Sequence, residues 1–398
     1  MLFFFTILNL LNYLDRYLLA ALLPVISAEL SLNNRQGGLL VSGFVVGYVL
    51  CSPLFGYLGD RWKRPPIMAL GVLVWSIATA FSGLTSTFIG LFLARVCVGI
   101  GEGSFATLAP TYLKDHAKDP IDLNRRLSVF FVAIPVGSAL GYALAGGVTS
   151  LLSWHYVFFI GAIPGLLLAP LLLRYKDENR TNQENYQLKP ALVEIFKVPA
   201  LRSAIGGYIL QAFALNGIAA FITKLGVQRG FTLESISMIF GLILVVTGLL
   251  GTFVGGKLSS RFADQSKDPI TSFFRFLGLT SLAGTPFLFL AFYYEDPYIF
   301  LGCAAIAELL IFAGTAPVNS IIVLSAPRHL VGLTQGVTIT SLNLFGALVG
   351  PILIGWIADL SSLAVGLQLA TIALFFAAVV WIRGQKVSPP MDNRSSPT

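Results

Sequence analysis

Five ionisable side chains stand inside stretches that are otherwise apolar. Asp15 and Arg16 lie in LLNYLDRYLLAALLP (10–24), Arg95 and Glu102 in LFLARVCVGIGEGSFATLAPT (91–111), and Glu308 in AAIAELLIFAGTAPV (304–318). A charge at mid-bilayer costs roughly 2.5–3.5 kcal/mol on insertion scales, so each of these groups must pair, bind a proton or face water. At about 100° per helical residue, Asn9, Asn12, Asp15 and Arg16 fall within an arc of about 120°, with Tyr13 beside it. The opposite face is leucine and isoleucine. Arg95 and Glu102 are seven residues apart, which puts them on one face but about 10.5 Å apart along the axis. Their natural partners therefore lie across an interior, and Asp15 and Arg16 are the candidates. A carboxylate in such a place feels two opposed effects, desolvation favouring the proton and a neighbouring arginine favouring the charge. That balance makes a proton-coupling device; the alternative is a static ion-pair network that keeps helices in register. Glu308 has three readings: a second titrating group, a ligand for the ammonium of a zwitterion, or a structural carboxylic acid.

The elements that must position these residues are membrane helices. The chain has 398 residues, 56% hydrophobic and only 11% charged, where a soluble domain averages about 25% charged. Twelve apolar runs are long enough to span, at 2–30, 36–58, 65–85, 87–113, 127–150, 154–173, 203–223, 232–256, 270–293, 297–323, 330–358 and 361–382. They are continuous rather than alternating, which implies helices and not a barrel. The fold class is thus an all-α polytopic membrane protein with twelve transmembrane helices.

The net charge of +7 reports topology, not a nucleic-acid partner. If odd-numbered spans run outward, the inner segments hold three Lys or Arg at 61–64, four at 114–126, six at 174–202, four at 257–275, Arg328, and three beyond residue 382. The outer loops hold only Arg35, Lys224 and Arg229. This asymmetry places both termini in the cytoplasm. Cys51, Cys97 and Cys303 fall inside apolar spans without metal-like spacing, so they read as packing residues and no metal site is expected. His116 and His329 read as cytoplasmic and His155 as a loop residue, so the three histidines cannot build a haem pair or a three-histidine metal site, and no nucleophile elbow or phosphate loop stands out. An enzyme is not expected. Residues 1–8 lack the basic start of a cleavable signal peptide.

The main shift in composition is RYKDENRTNQENYQLKPALVEIFKVP (174–199), read as a cytoplasmic linker with a short surface helix near 190–197. It separates an N-terminal bundle of six helices (1–173) from a C-terminal one (200–383), followed by a polar cytoplasmic tail (384–398). The halves share weak repeats. GYLGDR (56–61) lines up with GKLSSR (256–261), and GEGSFATLAPT (101–111) with AELLIFAGTAPV (307–318), so Glu102 corresponds to Glu308. Two six-helix halves with internal repetition describe a secondary transporter that rocks around a site near the midplane. In the fifth span Pro135 can bend the helix, while Gly137, Gly141, Gly146 and Gly147 allow close packing.

The segment GYLGDRWKR (56–64) resembles the signature loop of the major facilitator superfamily through Gly56, Leu58, Gly59, Asp60 and Arg61, with Lys63 in place of the usual glycine. That resemblance implies a major facilitator fold in which Gly56, Gly59, Asp60, Arg61 and Arg64 form a cytoplasmic gate loop. In the second half Ser260 replaces the aspartate, so that copy is expected to be weaker. NYLDRY, GYLGDR and GIGEGSFATLAPTYLKD together are similar to the Spinster family of lipid transporters, strongly over residues 9–113 and thinly beyond. The resemblance implies a proton-coupled carrier of lysophospholipids or sphingosine-phosphate-like lipids. It also implies proton coupling through Asp15 and Glu102, with Arg16 neutralising them or meeting an anionic headgroup. Arg95, Asn12, Tyr13 and Glu308 complete the expected substrate or charge network. No cofactor beyond a proton gradient is expected. The expected partners are a small amphipathic lipid, protons and the bilayer, for a monomer. Without the long termini of animal members, the chain resembles a bacterial relative in the inner membrane. Rival readings are a proton-coupled carrier of small organic anions, with Arg16 or Arg95 clamping a carboxylate, and a passive scramblase or membrane receptor.

Overall fold

The computed structural model describes residues 1–32, 34–149, 151–177, 187–231, 233–266 and 268–385. The middle of the expected linker (178–186) and most of the expected tail (386–398) lie outside the described residues. Every described element is helical. The chain runs α1 (Leu2–Glu29), α2 (Asn34–Arg61), α3 (Arg64–Ser82), α4 (Phe88–Asp115), α5 (Pro120–Phe131), α6 (Ala133–Thr149) and α7 (Trp154–Leu168), the last followed by a 3-10 turn (Ala169–Arg174). After the short α8 (Leu188–Lys197) come α9 (Pro199–Gln228), α10 (Leu233–Asp264), α11 (Pro269–Tyr293), α12 (Pro297–Ala313), α13 (Thr315–Ser325), α14 (Val331–Ser341), α15 (Val349–Leu360) and α16 (Leu363–Gly384). A π-helical stretch, Leu342–Leu348, joins α14 to α15. Eleven of the described helices or helix pairs are long and apolar enough to cross a bilayer. The twelfth crossing is α1, 28 residues long and diluted in hydropathy by its polar stripe.

Local chemistry sets the boundaries. Pro65 and Pro66, Pro199, Pro269 and Pro297 stand in the first turns of α3, α9, α11 and α12, where a missing N–H removes no helical bond. Asp268 and Asp296 cap α11 and α12 by accepting backbone N–H bonds. Two spans are broken. Pro135 lies three residues past the gap between α5 and α6, and Pro317 three past Gly314 between α12 and α13. In each case the proline supplies no N–H to the turn before it.

The chain divides into two compact units. Unit 1 comprises 1–115, 130–185 and 328–340, and unit 2 comprises 116–129, 186–327 and 341–398. Within unit 1, α2 and α3 pack on α4, and α1 packs on α6. Gly137 and Gly141 of α6 make the last contact possible, because a side chain at either would run into the backbone of Leu10 or Leu14. Within unit 2, α16 lies against both α9 and α11, while α12 lies against α10 and α11.

Candidate functional site: the paired charges of the first bundle

Unit 1 brings four of the five intramembrane charges together. Arg16 donates from Nε (3.3 Å) and Nη2 (3.0 Å) to the same oxygen, Oε2 of Glu102. Asp15, one residue earlier on α1, accepts a 2.5 Å bond from the Thr79 hydroxyl of α3. Its other oxygen lies 3.9 Å from Nη1 of Arg95. The pairing is therefore crossed: two neighbouring residues of α1 each take a partner of opposite sign from α4, seven residues apart. Buried charges persist when they are paired and hydrogen-bonded, and both pairs are buried. Glu102 is 0% exposed, and Arg16, at 18%, is the most open of the four side chains.

Aromatic rings surround the Arg16 guanidinium, with Tyr13 and Phe44 at 4.8 Å and Tyr48 at 5.1 Å from their centroids. Such contacts hold a planar cation in a desolvated place. Hydrogen bonding is incomplete even so. Oε1 of Glu102, Oδ1 of Asp15, Nε and Nη1 of Arg95 and both polar atoms of Asn12 are buried without a partner. Asn9 lies on the same stripe of α1 and donates to the Phe130 carbonyl at 3.0 Å, beside the α5–α6 break.

Glu308 does not join this group. It sits in unit 2 on α12, 2% exposed, with the Thr247 hydroxyl of α10 at 3.5 Å.

The residues expected to form a cytoplasmic gate loop are largely helical instead. Gly56, Gly59, Asp60 and Arg61 occupy the last two turns of α2, and Arg64 opens α3, leaving Trp62 and Lys63 as the connection. The paired prolines after Arg64 explain the shift, since they start α3 promptly and leave α2 free to run on. Asp60 faces the start of α14, where its oxygens accept from the backbone N–H groups of Gly332 (2.6 Å) and Leu333 (2.9 Å). A carboxylate there satisfies otherwise orphaned donors and complements the helix dipole. Gly56 lets the α2 backbone touch that of Gly332. Arg61 stacks on Tyr57 at 3.6 Å. Arg64 turns elsewhere, binding Asp177 through Nε (2.9 Å) and Nη2 (2.6 Å) and Asp115 at 2.7 Å. It clamps the start of the linker to the end of α4.

Sequence reasoning missed three participants: Thr79, Asp177 and Asn124. Asn124 of α5 donates to Gly256 O (3.0 Å), Ser259 Oγ (2.8 Å) and Ser260 Oγ (3.0 Å), and accepts from Ser320 Oγ (3.0 Å). The repeat of the signature segment thus holds its neighbour by neutral hydrogen bonds rather than by a carboxylate. The only signal for it was the GKLSSR alignment itself.

Residues 5–348 match the family model described as Major Facilitator Superfamily. The chain belongs to that superfamily. It is accordingly a membrane transporter and not an enzyme. Within the superfamily it falls among the spinster homologues. It is 30% identical to the "Probable sphingolipid transporter spinster homolog 2" of Arabidopsis thaliana, over 96% of this chain and 86% of that one. It is 32% identical to the human "Protein spinster homolog 1", over 88% and 71% of the respective chains. Among solved structures, a bacterial homologue of the human lysosomal transporter Spinster, described as inward-facing and occupied, shares the fold. Its TM-score is 0.66 at 22% identity, over 100% of this chain and 98% of that one. For a major facilitator protein of this kind, the crossed pairs on α1 and α4 are the leading candidate for the working site.

Proposed function

We propose that this spinster-like protein is a proton-coupled carrier that moves lysophospholipids or sphingosine-phosphate-like lipids by alternating access. Asp15 and Glu102 carry the coupling protons. The observation behind this reading is the crossed arrangement in unit 1, in which each buried carboxylate has one arginine and one unpartnered oxygen. Glu102 is held ionised by its arginine alone, and Asp15 by its arginine together with the Thr79 hydroxyl. When the arginine turns to another anion, such as a substrate headgroup, the carboxylate takes a proton rather than remain charged and unpaired. Arg16 is suited to that exchange, being the most open of the four and held by rings rather than by a second acid. The sphingolipid part of this class is supported by the Arabidopsis relative, which is named a probable sphingolipid transporter. Arg95, Asn12 and Tyr13 shape the network around the pair.

In this reading the domains are the six-helix halves 1–173 and 200–383. The linker and both termini lie in the cytoplasm of a bacterial inner-membrane protein that works as a monomer, with the proton gradient and no cofactor. The deciding experiment is reconstitution in proteoliposomes. Flux of a lysophospholipid, a sphingosine-phosphate-like lipid and a small carboxylate is compared with and without an imposed pH gradient. Gradient-stimulated lipid flux is the expected result. Stimulated carboxylate flux alone would replace the lipid by an organic anion, and lipid flux indifferent to the gradient would make the protein a passive scramblase.

A further inference from the structure

Glu308 is a buried carboxyl with no arginine. It projects from α12 toward α10, 2% exposed, and among the described residues no lysine, arginine or histidine reaches it. The charged residues on the packed helices are remote. On α10, Glu234 lies thirteen residues before Thr247, and Lys257, Arg261 and Asp264 begin ten residues beyond it. On α11, Arg275 precedes Gly284, which touches the Ala307–Leu310 turn, by nine. These separations exceed about 13 Å along the helices. Arg202 opens α9 at its far end, and Cys303 of α12 stands more than a turn away. Arg229, after the other end of α9, packs over Phe300, two turns before Glu308 on α12, and donates to the Ala291 and Phe292 carbonyls. Gln211 of α9 ties its amide to Ile311 O at 2.7 Å.

Among the described residues, the one polar group within hydrogen-bonding reach of Glu308 is the Thr247 hydroxyl. The Thr247 hydroxyl lies 2.7 Å from Ile243 O on its own helix and 3.5 Å from Oε2 of Glu308. A hydroxyl has a single hydrogen, and the shorter bond, to the carbonyl four residues back, takes it. Toward Glu308, Thr247 offers lone pairs only. An ionised carboxylate would then face an acceptor, without a cation, in an apolar interior. A protonated one would donate to it.

We infer that Glu308 is a proton-binding site of the second bundle, holding its proton as a neutral carboxylic acid that faces the Thr247 oxygen 3.5 Å away. In the repeat it corresponds to Glu102, so the two bundles neutralise matching carboxyls differently, one with arginine and one with a proton. The inference does not rest on the coupling role of Asp15 and Glu102, and it would stand if those two formed a static network.

Infrared spectroscopy of the full chain in lipid bilayers, in H2O and D2O, tests it. The wild type should show a deuterium-sensitive carboxylic C=O band that Glu308→Gln removes and Asp15→Asn leaves in place. Thr247→Val, which deletes the acceptor, should move that band to higher frequency. Loss of intensity from the ionised-carboxylate bands in Glu308→Gln, with the acid band untouched, would overturn the proposal. Should Glu308→Gln fail to fold, Thr247→Val decides alone: a shifted acid band upholds the site and an unchanged one refutes it.

Discussion

At the scale of single residues, the two carboxylates of α1 and α4 differ in what supports them. Asp15 has a hydroxyl and a distant guanidinium, whereas Glu102 has two donors from one arginine. Asp15→Asn keeps the shape but removes the proton-binding group, so gradient-driven uptake should fall to the undriven level while the protein stays folded. Glu102→Gln should retain substrate binding and lose coupled movement; wild-type uptake in either variant would favour the static network. Thr79 gives a graded test. Its hydroxyl donates to ionised Asp15, and hydrogen bonds to charged groups are worth about 1.5–3 kcal/mol. Thr79→Val withdraws support from the charged form only, so Asp15 should bind its proton more readily. Half-maximal driven uptake should then move to higher pH. A shift to lower pH, or none, would remove Asp15 from the coupling step.

At the scale of elements, α14 is held by its first turn. Asp60 satisfies two of its N–H groups, and capping of this kind is worth about 0.5–2 kcal/mol. Asp60→Ala should therefore favour separation of α14 from α2 about fivefold. The reporter is the alkylation rate of a Leu333→Cys thiol in a background lacking the native cysteines, since Leu333 of α14 is fully buried and its backbone abuts Gly56 of α2. A rate unchanged by Asp60→Ala would show that the cap does not hold the helix. The sequence made part of this legible. Asp15, Arg16, Arg95 and Glu102 stood out because charge in an apolar run is conspicuous, and helical spacing placed them on two facing stripes. Their crossed pairing depends on the rotation and height of α1 against α4, which no spacing within one helix records. Thr79 and Asn124 were invisible for different reasons. A lone neutral polar residue in a membrane helix usually bonds its own backbone, as Ser138 and Thr338 do here, so the type of Thr79 carries no news of a distant partner, while Asn124 stood among the charges of the inner segment 114–126. Asp177 lay in a stretch whose many charges masked the one that matters.

At the scale of the whole molecule, the twelve spans follow from hydropathy, but the compact units are not simply the sequence halves. Residues 328–340 belong with unit 1 and 116–129 with unit 2, the first tied by Asp60 and the second by Asn124. Of the five changes of unit, two fall at helix irregularities: 340/341 immediately precedes the π-helical Leu342–Leu348, and 129/130 adjoins the break before Ala133. Helix irregularities of this sort commonly mark functional hinges. Alternating access then requires the ties to break, with α14 leaving α2 by bending at the π-helical stretch. A reversible cross-link tests this directly. Thr340 donates to the Val49 carbonyl at 3.1 Å, so the side chain of α14 reaches the backbone of α2 at this point. In a background with Cys51, Cys97 and Cys303 replaced, Val49→Cys combined with Thr340→Cys should transport normally when reduced. Oxidation should reduce lipid flux at least tenfold, and a reductant should restore it. Each single-cysteine variant should ignore the oxidant. Undiminished flux through fully cross-linked protein would mean that α2 and α14 stay together throughout transport, and that the moving parts divide at the linker alone.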